Sequence, residues 1–200
     1  YVFSRAAQTA RHKNLNWIKF DALSDEIEST LEKLPEVNGV IHAAAYVTPG
    51  NTITGVEKYR RVNMEFSDRL FKYFAMHKQA IPVLYFSSFS FLQKPLNDVQ
   101  TEDDAVAPGS FYSLSKYWGE LSLLEYAKTA QYRPIIFRIS SPVSNDFKLM
   151  HNTVVKKWIE LGKSGNAITV YGAGKRRQDF VSASDIAEAA LLSIENNSVS

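Results

Sequence analysis

A tyrosine and a lysine four residues apart, Tyr112 and Lys116, form the pair in this 200-residue chain that is best suited to proton transfer. On a helix, side chains four residues apart lie one above the other on the same face. A neighbouring ammonium group favours the phenolate, so the spacing predicts a lowered pKa for Tyr112 and proton exchange with an alcohol or a carbonyl. The spacing recurs in Tyr171 and Lys175, but two glycines between them indicate a loop. We therefore take Tyr112 and Lys116 as the candidate catalytic pair.

The composition is that of an ordinary globular domain, with 45% hydrophobic and 22% charged residues. The net charge of +2 is too small to indicate binding to nucleic acid or to a membrane surface. The chain has no cysteine, which excludes disulfides and fits a cytoplasmic location. Its histidines show no metal-ligand spacing, and no apolar run approaches the roughly 18 residues of a spanning helix. We therefore expect no nucleic-acid, membrane or metal partner.

Short apolar segments alternate with helical patterns, which predicts an α/β fold with a parallel sheet and helices on both of its faces. We predict strands at residues 1–3, 15–20, 39–45, 81–86, 134–139, 167–171 and 179–181. We predict helices at 24–34 with Ser24 as N-cap, 56–77, the segment that carries Tyr112, 152–161 and 186–194. Ligands of such sheets bind beyond the carboxyl ends of the strands. Unusual residues lie at those ends: Ser4-Arg5, Asp21, His42 to Ala45, Ser87-Ser88 and Ser140 to Pro142.

An ordered set of motifs over nearly all of the chain resembles the extended short-chain dehydrogenase/reductase family. The set comprises His42-Ala43-Ala44-Ala45, Asn63, Ser87-Ser88, Tyr112 with Lys116, Arg138, the run from Ile168 to Gly172, Asp179-Phe180-Val181 and Asp185-Ile186. Within the family, the chain looks most like the NAD(P)-dependent epimerases and dehydratases that act on nucleotide sugars. The resemblance implies a Rossmann-like, doubly wound parallel sheet with a small substrate-binding portion toward the C-terminus.

The resemblance also implies a domain division. Residues 1–142 would form the NAD(P)-binding domain, 143–178 part of the substrate-binding region, and 179–200 a strand and helix that return to the first domain. The glycine-rich turn that binds pyrophosphate in the family is absent from these 200 residues. We expect it in a segment of roughly 25–40 residues before Tyr1, together with the central strand of the sheet and a helix.

Roles for individual residues follow from the same resemblance. Tyr112 is the expected general acid/base, Lys116 would lower its pKa and bind the nicotinamide ribose, and Ser88 would hydrogen-bond the reacting oxygen. Cofactor-binding roles are implied for Ser4, Arg5, Asp21, Ala22, Ala43, Ala44, Ala45, Asn63, Ser87, Tyr112, Lys116, Ser141, Pro142 and Val143. Substrate-binding roles are implied for Ser88, Phe89 and Arg177.

Three positions bear on the choice of cofactor and substrate. Arg5 lies where an acidic residue would bind the free ribose hydroxyls of NAD, and an arginine there suits a 2′-phosphate. We therefore expect NADP or NAD, with a preference for NADP. Leu92-Gln93 replaces the Tyr-Gly that is usual in the family, and Arg177 is displaced by one position from the arginine that binds the diphosphate. These departures leave the substrate open.

The expected function is that of an epimerase, dehydratase or reductase of a nucleotide sugar. Two alternatives remain open: a reductase of a carrier-bound acyl thioester, which uses the same serine, tyrosine and lysine, and a non-catalytic NAD(P)-sensing module. The presence of Ser88, Tyr112 and Lys116 together favours an enzyme. We expect a homodimer in which helices 56–77 and 111–127 pack as a four-helix bundle. His42, in an apolar strand, is expected to be a core residue.

Overall fold

Parallel strands alternate with helices along the part of the chain that the structure describes. The computed structural model describes residues 1–5, 13–47, 53–77, 80–92, 99–147, 150, 153–170, 172–175 and 177–196. The strands are β1 (Val2–Ser4), β2 (Trp17–Lys19), β3 (Val40–His42), β4 (Pro82–Ser88), β5 (Arg133–Ile139), β6 (Ser141–Val143) and β7 (Phe180–Ser182). The α-helices are α1 (Ile27–Leu31), α2 (Ile53–Lys58), α3 (Phe66–Met76), α4 (Phe111–Ala127), α5 (Val154–Lys163) and α6 (Ala183–Glu195). A π-helical segment (Tyr59–Glu65) joins α2 to α3, and a 3₁₀ turn (Phe89–Phe91) follows β4.

The pairing of the strands confirms the predicted α/β class. β1 pairs with β2 in parallel, β3 pairs with β4 in parallel, and β4 lies between β3 and β5. β6 and β7 form a further parallel pair. Parallel neighbours need a crossover connection, and helices provide it between β3 and β4 (α2 and α3) and between β6 and β7 (α5). The predicted segment before Tyr1 stays a prediction.

By its contacts the chain divides into two compact units, Tyr1–Phe137 and Arg138–Val199. The first unit holds β1 to β4 and α1 to α4, and the second holds β6, β7, α5 and α6. The division predicted from the sequence, after residue 142 with a return at 179, stays a prediction. Among the described helices, none is both long and apolar enough to cross a membrane.

The hydrophobic core of the first unit packs around β4. Val83, Leu84 and Tyr85 are fully buried, as expected for a strand that is covered on both faces. The core cluster contains Phe20, Ile27, Leu31, Phe66, Leu70, Phe71, Phe74, Ile81, Val83, Tyr85, Leu123 and Tyr132. Side chains from α1, α3, β4 and α4 therefore meet in one cluster with Phe20, the residue after β2, and this packing fixes α4 against β4.

One predicted helix cap and one predicted strand were wrong. Ser24 does not cap a helix, because α1 begins at Ile27 after Glu26. Instead Ser24 lies in a turn closed by the bond from the Asp25 backbone N–H to the Asp21 carbonyl oxygen (2.8 Å). The predicted strand at 167–171 is absent over its described residues 167–170, where Ile168 and Val170 are about half exposed. In the described chain this segment pairs with no strand, so its apolar pattern alone was misleading.

Candidate functional site

The first turn of α4 carries Tyr112 and is fixed by a reciprocal serine cap. The backbone N–H of Ser113 donates to the Ser110 Oγ (3.1 Å), and the backbone N–H of Ser110 donates to the Ser113 Oγ (3.0 Å). These two bonds satisfy backbone donors that a helix start otherwise leaves unpaired. Tyr112 is therefore held on an ordered turn, half-buried, directly after the cap.

Ser88 lies at the carboxyl end of β4 and meets the Tyr112 phenol. The Ser88 hydroxyl is close enough to favour the phenolate form of Tyr112 as a hydrogen-bond donor, which works to lower the pKa of Tyr112. The Ser88 Oγ also accepts from the backbone N–H of Ser90 (3.2 Å) and lies 2.9 Å from the Ser90 Oγ, so it caps the 3₁₀ turn that follows β4. Strand β4 and helix α4 thus bring together the serine and the tyrosine that the sequence assigns to catalysis.

The pKa of Tyr112 differs from the expectation drawn from the sequence. The spacing to Lys116 predicts a lowered pKa, whereas the structure gives a raised one. Burial of the phenol is the main cause, the bond from Ser88 opposes it, and the nearby Tyr59 adds to the rise. The prediction failed because helical spacing describes a pair of side chains but not the loss of water around them.

Lys116 is buried one turn further along α4 than Tyr112, and its ammonium group lies over the ring of Tyr85. Its side chain is only 2% exposed, and its Nζ lies 4.1 Å from the centroid of the Tyr85 ring. Burial lowers the pKa of Lys116 to about 7, and the buried Glu120, one turn further along α4, opposes that shift. The group is therefore poised between ammonium and amine near neutral pH.

Asn63 ties the loop after β3 to the catalytic helix. Its Oδ1 accepts from the backbone N–H of Tyr46 (2.6 Å), and its Nδ2 donates to the Tyr46 carbonyl oxygen (3.0 Å) and to the Ser115 Oγ (3.0 Å). Asn63 is buried within the π-helical segment, a conformation that is rare and often found at functional sites. The segment thus connects two of the predicted cofactor-binding regions.

His42 is a core residue, as the sequence predicted. Its Nε2 lies 2.7 Å from the Ser67 Oγ, and its ring packs against Phe66, Phe71 and Tyr85 at centroid distances of 5.3–5.6 Å. Burial, reinforced by the charge of Lys116, lowers the pKa of His42 to about 3. The imidazole is therefore neutral over the physiological range.

The end of β4 and the loop after β3 also offer groups suited to a bound cofactor. The Ser87 Oγ is buried, and within the described residues it has no hydrogen-bond partner. Such an orphaned polar atom is costly unless something binds it. Ala43, Ala44 and Ala45 are exposed and have side chains no larger than a methyl group, which permits close approach of a ligand. These residues fit a dinucleotide on this edge of the sheet.

The other residues assigned to the cofactor in the first unit lie at the ends of β1 and β2. Ser4 ends β1, and the following Arg5 is exposed. The Asp21 Oδ1 accepts from the backbone N–H of Leu23 (3.0 Å), so this carboxylate holds its own turn. Ala22 lines a cavity of about 280 Å³, whose other walls are Leu23, Ser24, Asp25, Glu26, Arg61, Glu65, Phe66, Asp68 and Arg69. Their assignment to the cofactor stays a prediction.

The second unit contains the remaining predicted site residues. Ser141, Pro142 and Val143 form β6 and pair with Phe180, Val181 and Ser182. The Gln178 Nε2 donates to the Ser141 Oγ (2.6 Å), and the neighbouring Arg177 is exposed. Gly172 and Gly174 have φ values of 72° and 67°, which confirms the predicted loop before Lys175, while Tyr171 lies outside the described residues. The roles of Ser141, Pro142, Val143 and Arg177 stay predictions, as does that of the half-buried Phe89 in the first unit.

Sequence reasoning did not identify two residues that shape this site. Tyr85 carries the ring under Lys116, and Gly119 lies directly against that ring. Glycine inside an otherwise apolar helix is the signal that could have pointed to a close approach, since it weakens the helix without another reason for its presence. Nothing in the sequence marks Tyr85, which looks like any other aromatic residue of a buried strand.

The chain matches the model of the NAD dependent epimerase/dehydratase family over residues 2–200. It therefore belongs to that family. The match covers nearly the whole chain, so the predicted resemblance is confirmed.

Individual relatives agree with this assignment. The chain is 27% identical over 189 residues to the dTDP-4-dehydro-6-deoxyglucose reductase of Escherichia coli, covering 90% of this chain and 58% of the relative. A UDP-N-acetylglucosamine 4-epimerase from Methanobrevibacter ruminantium M1, solved with UDP-N-acetylmuramic acid, superposes with a TM-score of 0.80 and 25% identity, covering 94% of this chain and 60% of that one.

A UDP-glucuronic acid 4-epimerase from Bacillus cereus, solved with UDP-glucuronic acid and NAD, has a TM-score of 0.79 and 19% identity. The match covers 94% of this chain and 58% of that protein's chain, and at 19% identity it supports the fold alone. The chain spans about three fifths of the length of these relatives. The fold is thus that of Rossmann-like epimerases and dehydratases.

Proposed function

We propose that this protein is an NAD(P)-dependent epimerase, dehydratase or reductase of a nucleotide sugar, with Tyr112 as the general acid/base. The observation that carries the proposal is the position of the Tyr112 phenol beside the Ser88 hydroxyl at the end of β4, with Lys116 buried one turn further along the same helix. Family membership and the reductase of Escherichia coli support the nucleotide-sugar class of substrate.

The proposed chemistry assigns one task to each side chain. The Tyr112 Oη takes a proton from a sugar hydroxyl or returns it to the carbonyl oxygen, and Ser88 holds that oxygen by a hydrogen bond. Lys116 stabilises the phenolate by its charge when it is protonated, which offsets the rise in the pKa of Tyr112 that burial causes. Asn63 bonds both Ser115 of α4 and Tyr46 in the loop after β3. It thereby holds the helix that carries the proton donor beside the cofactor-binding edge.

Ser87, Ala43, Ala44, Ala45 and Lys116 would hold a nicotinamide dinucleotide at this edge. When bound, that group supplies and accepts the hydride in sugar oxidation and reduction. The buried Ser87 hydroxyl and the methyl-sized side chains after β3 support this assignment. Tyr112 and Ser88 lie at the same end of β4, so they would control the proton while the hydride moves.

We further propose a preference for NADP over NAD. The exposed Arg5 directly after β1 supports it, since a guanidinium can bind a 2′-phosphate in bidentate fashion. Several similar structures were solved with NAD, so a measured preference between NADPH and NADH would test this proposal.

Dissociation constants for NADPH and NADH would be measured on wild type, Arg5→Glu and Lys33→Glu. Arg5→Glu should weaken NADPH selectively, whereas Lys33→Glu makes the same charge change at another exposed position. Tighter binding of NADH by wild type would contradict the preference.

The catalytic proposal is tested with Tyr112→Phe and the matched control Tyr117→Phe. Tyr117 lies on the same helix, and its ring packs against Phe91 at 5.2 Å. UDP- and dTDP-sugars would be offered with NAD(P), and products followed by mass spectrometry. Tyr112→Phe should lower turnover by about 10²- to 10⁴-fold, because general acid/base catalysis contributes that much, and should leave cofactor binding nearly intact. Tyr117→Phe should stay within a few-fold of wild type.

Two other outcomes would replace the proposal. Turnover of Tyr112→Phe within a few-fold of wild type would remove Tyr112 from the mechanism. Cofactor binding by a wild type that converts neither nucleotide sugars nor carrier-bound thioesters would instead favour the sensing module.

A further inference from the structure

Lys116 rests on an aromatic ring from the neighbouring strand. Its Nζ lies 4.1 Å from the centroid of the Tyr85 ring, well within the range of roughly 6 Å in which a cation is attracted to a π face. Tyr85 is on β4, three residues before Ser88, and its side chain is 0% exposed. The buried ring therefore presents its π face to the Lys116 ammonium group.

Gly119 provides a second, independent observation on the same ring. A Cβ built on Gly119 would lie 2.3 Å from the Tyr85 Oη, 2.5 Å from its Cζ and 2.8 Å from its Cε1. Real side chains do not approach so closely, so only glycine lets α4 lie this near to the ring. The Tyr85 hydroxyl points at the same turn, 3.5 Å from the Lys116 carbonyl oxygen. A glycine inside a helix is unfavourable in itself, and its presence here creates the space that the ring occupies.

The ring is held in place from below. His42 packs on it at a centroid distance of 5.3 Å, and Phe71 meets it edge-on at 5.6 Å. His42 is in turn fixed by its contact with the Ser67 Oγ (2.7 Å). Tyr85 therefore cannot move aside without disturbing the core, and the position of the lysine follows from the position of the ring.

The charges around Lys116 show why such a surface matters. From β3 it faces His42, which is neutral because burial lowers its pKa to about 3. From β4 it faces Tyr85, whose phenol stays neutral because burial raises its pKa. On its own helix it has Tyr112, which burial also keeps neutral, and Glu120, which within the described part of the chain is the one acidic group that acts on it. A buried ammonium with so few opposite charges gains from an electron-rich ring face.

We propose that Tyr85 is a positioning residue of the site. Its ring, which fits here because Gly119 has no side chain, holds the Lys116 ammonium beneath Tyr112. We call this ring the seat of the lysine. The usual role of an aromatic residue in a core strand is packing alone. The cation over the ring face and the glycine that makes room for it distinguish the seat from ordinary packing. The functional part of this inference rests on the proposed function, since it takes Lys116 to serve Tyr112 and the cofactor.

The test measures the titration of Lys116 directly, so it does not depend on activity. The protein would be labelled with ¹⁵N-lysine, and the Lys116 Nζ signal assigned by its loss in Lys116→Met. Tyr85→Leu should lower the titration midpoint by about 0.5 to 1.5 pH units, because the cation loses the ring face. Tyr85→Phe keeps that face and should titrate like wild type.

Phe71→Leu is the matched control for lost packing. Phe71 is as buried as Tyr85 and meets its ring edge-on, so Phe71→Leu removes packing but keeps the Tyr85 ring that lies under Lys116. The control should leave the Lys116 midpoint unchanged. A wild-type midpoint in Tyr85→Leu, or an equal shift in Phe71→Leu, would overturn the proposal. If Tyr85→Leu does not fold, Tyr85→Met, which is flexible and also lacks a ring, is read in the same way.

Turnover and cofactor affinity then connect the seat to the reaction. Tyr85→Leu should lose about 3- to 30-fold in turnover, with Tyr85→Phe restored to within two-fold of wild type. If wild type is inert toward every substrate offered, the proposed function fails while the titration still decides the seat. If wild type is active and Tyr85→Leu matches it in both titration and turnover, the seat is wrong and the proposed function stands.

Discussion

Helices α4 and α5 distribute their polar and apolar side chains in opposite ways. The buried residues of α4 are mostly polar or small: Ser113, Ser115, Lys116, Gly119, Glu120, Ser122 and Leu123. Five of its large apolar side chains are 44–46% exposed: Phe111, Leu114, Trp118, Leu121 and Leu124. α5 has the ordinary arrangement, with Val155, Trp158 and Ile159 half-buried and Lys157 and Glu160 exposed. A hydrophobic pattern therefore identifies the less exposed face of α5 but not the buried face of α4.

Hydrogen-bond partners explain why α4 can bury its polar face. The Ser115 Oγ donates to the Tyr112 carbonyl oxygen (2.8 Å) and accepts from Asn63. The Ser122 Oγ donates to the Asp68 carboxylate on α3 (2.7 Å). A buried hydroxyl without a partner would cost about 1–3 kcal/mol, whereas a paired one costs little. The buried face of α4 is therefore a set of paired groups that position Tyr112.

Both helices also place lysines near aromatic rings, with different consequences. Lys163 of α5 lies 4.9 Å from the centroid of Phe147, a distance similar to that of Lys116 from Tyr85, but Lys163 is exposed. Water solvates an exposed ammonium, so the ring adds little there. The burial of Lys116, and not the ring by itself, makes its environment special.

The largest expected effect separates these two lysines by activity. Lys116→Met should lower turnover by about 10²-fold or more and weaken cofactor binding, because the charge that stabilises the Tyr112 phenolate is lost. Lys163→Met should leave both within a few-fold of wild type. Steady-state kinetics and cofactor titration of the two variants check this. Equal losses in both would mean that the buried lysine has no special role.

The next effect tests the exposed apolar face of α4. We propose that this face, with α2 and α3, forms a homodimer by helix packing. Leu121→Glu would place a carboxylate in that interface and should weaken the dimer by at least about 100-fold, since a buried unpaired charge costs several kcal/mol. Leu192→Glu, at the 59% exposed Leu192 of α6, is the control. Light scattering at micromolar concentration should give a monomer only for Leu121→Glu. A monomeric wild type would contradict the dimer.

Replacing two helical glycines, Gly119 and Gly162, by alanine should give smaller effects on the free energy of unfolding. The two effects should have opposite signs. Gly119→Ala should lower the free energy of unfolding by about 1–3 kcal/mol, because the new methyl group collides with the buried Tyr85 ring. At Gly162 of α5 a Cβ would meet nothing within 4 Å, so Gly162→Ala should raise stability by up to about 1 kcal/mol. Denaturant unfolding of both variants measures the difference. A stabilising Gly119→Ala would show that α4 and β4 are not so closely packed.

The last prediction concerns acid stability and the buried His42 below α4. The unfolded chain binds a proton at His42 near pH 6.5, whereas the folded chain binds it only near pH 3. Between these values the unfolded state therefore holds more protons, and the free energy of unfolding should fall as the pH falls, by up to about 1.4 kcal/mol per pH unit. His42→Gln should flatten this dependence in denaturant unfolding between pH 6.5 and 4. An unchanged slope would place the titration elsewhere.

Much of the fold could be predicted from the sequence because its signals are local. Apolar runs predicted β3, β4 and β5 to within a few residues, and the helix with Tyr112 and Lys116 agrees with α4. The errors were local signals without a tertiary partner. Ser24 resembles an N-cap but lies in a turn, and residues 167–170 look like a strand but pair with none in the described chain.

Periodicity and motif order are properties of the chain, so the order of the elements, the family and the helical spacing of Tyr112 and Lys116 could be predicted without a structure. The electrostatics of the site depend on the tertiary structure. Burial raises the pKa of Tyr112 and lowers that of Lys116 to about 7, opposite to what the Tyr112 spacing suggested. The packing also places Tyr85, which is far from Lys116 in the sequence, beneath the lysine. Desolvation and contacts between elements depend on how the chain packs, and no spacing within one helix contains that information.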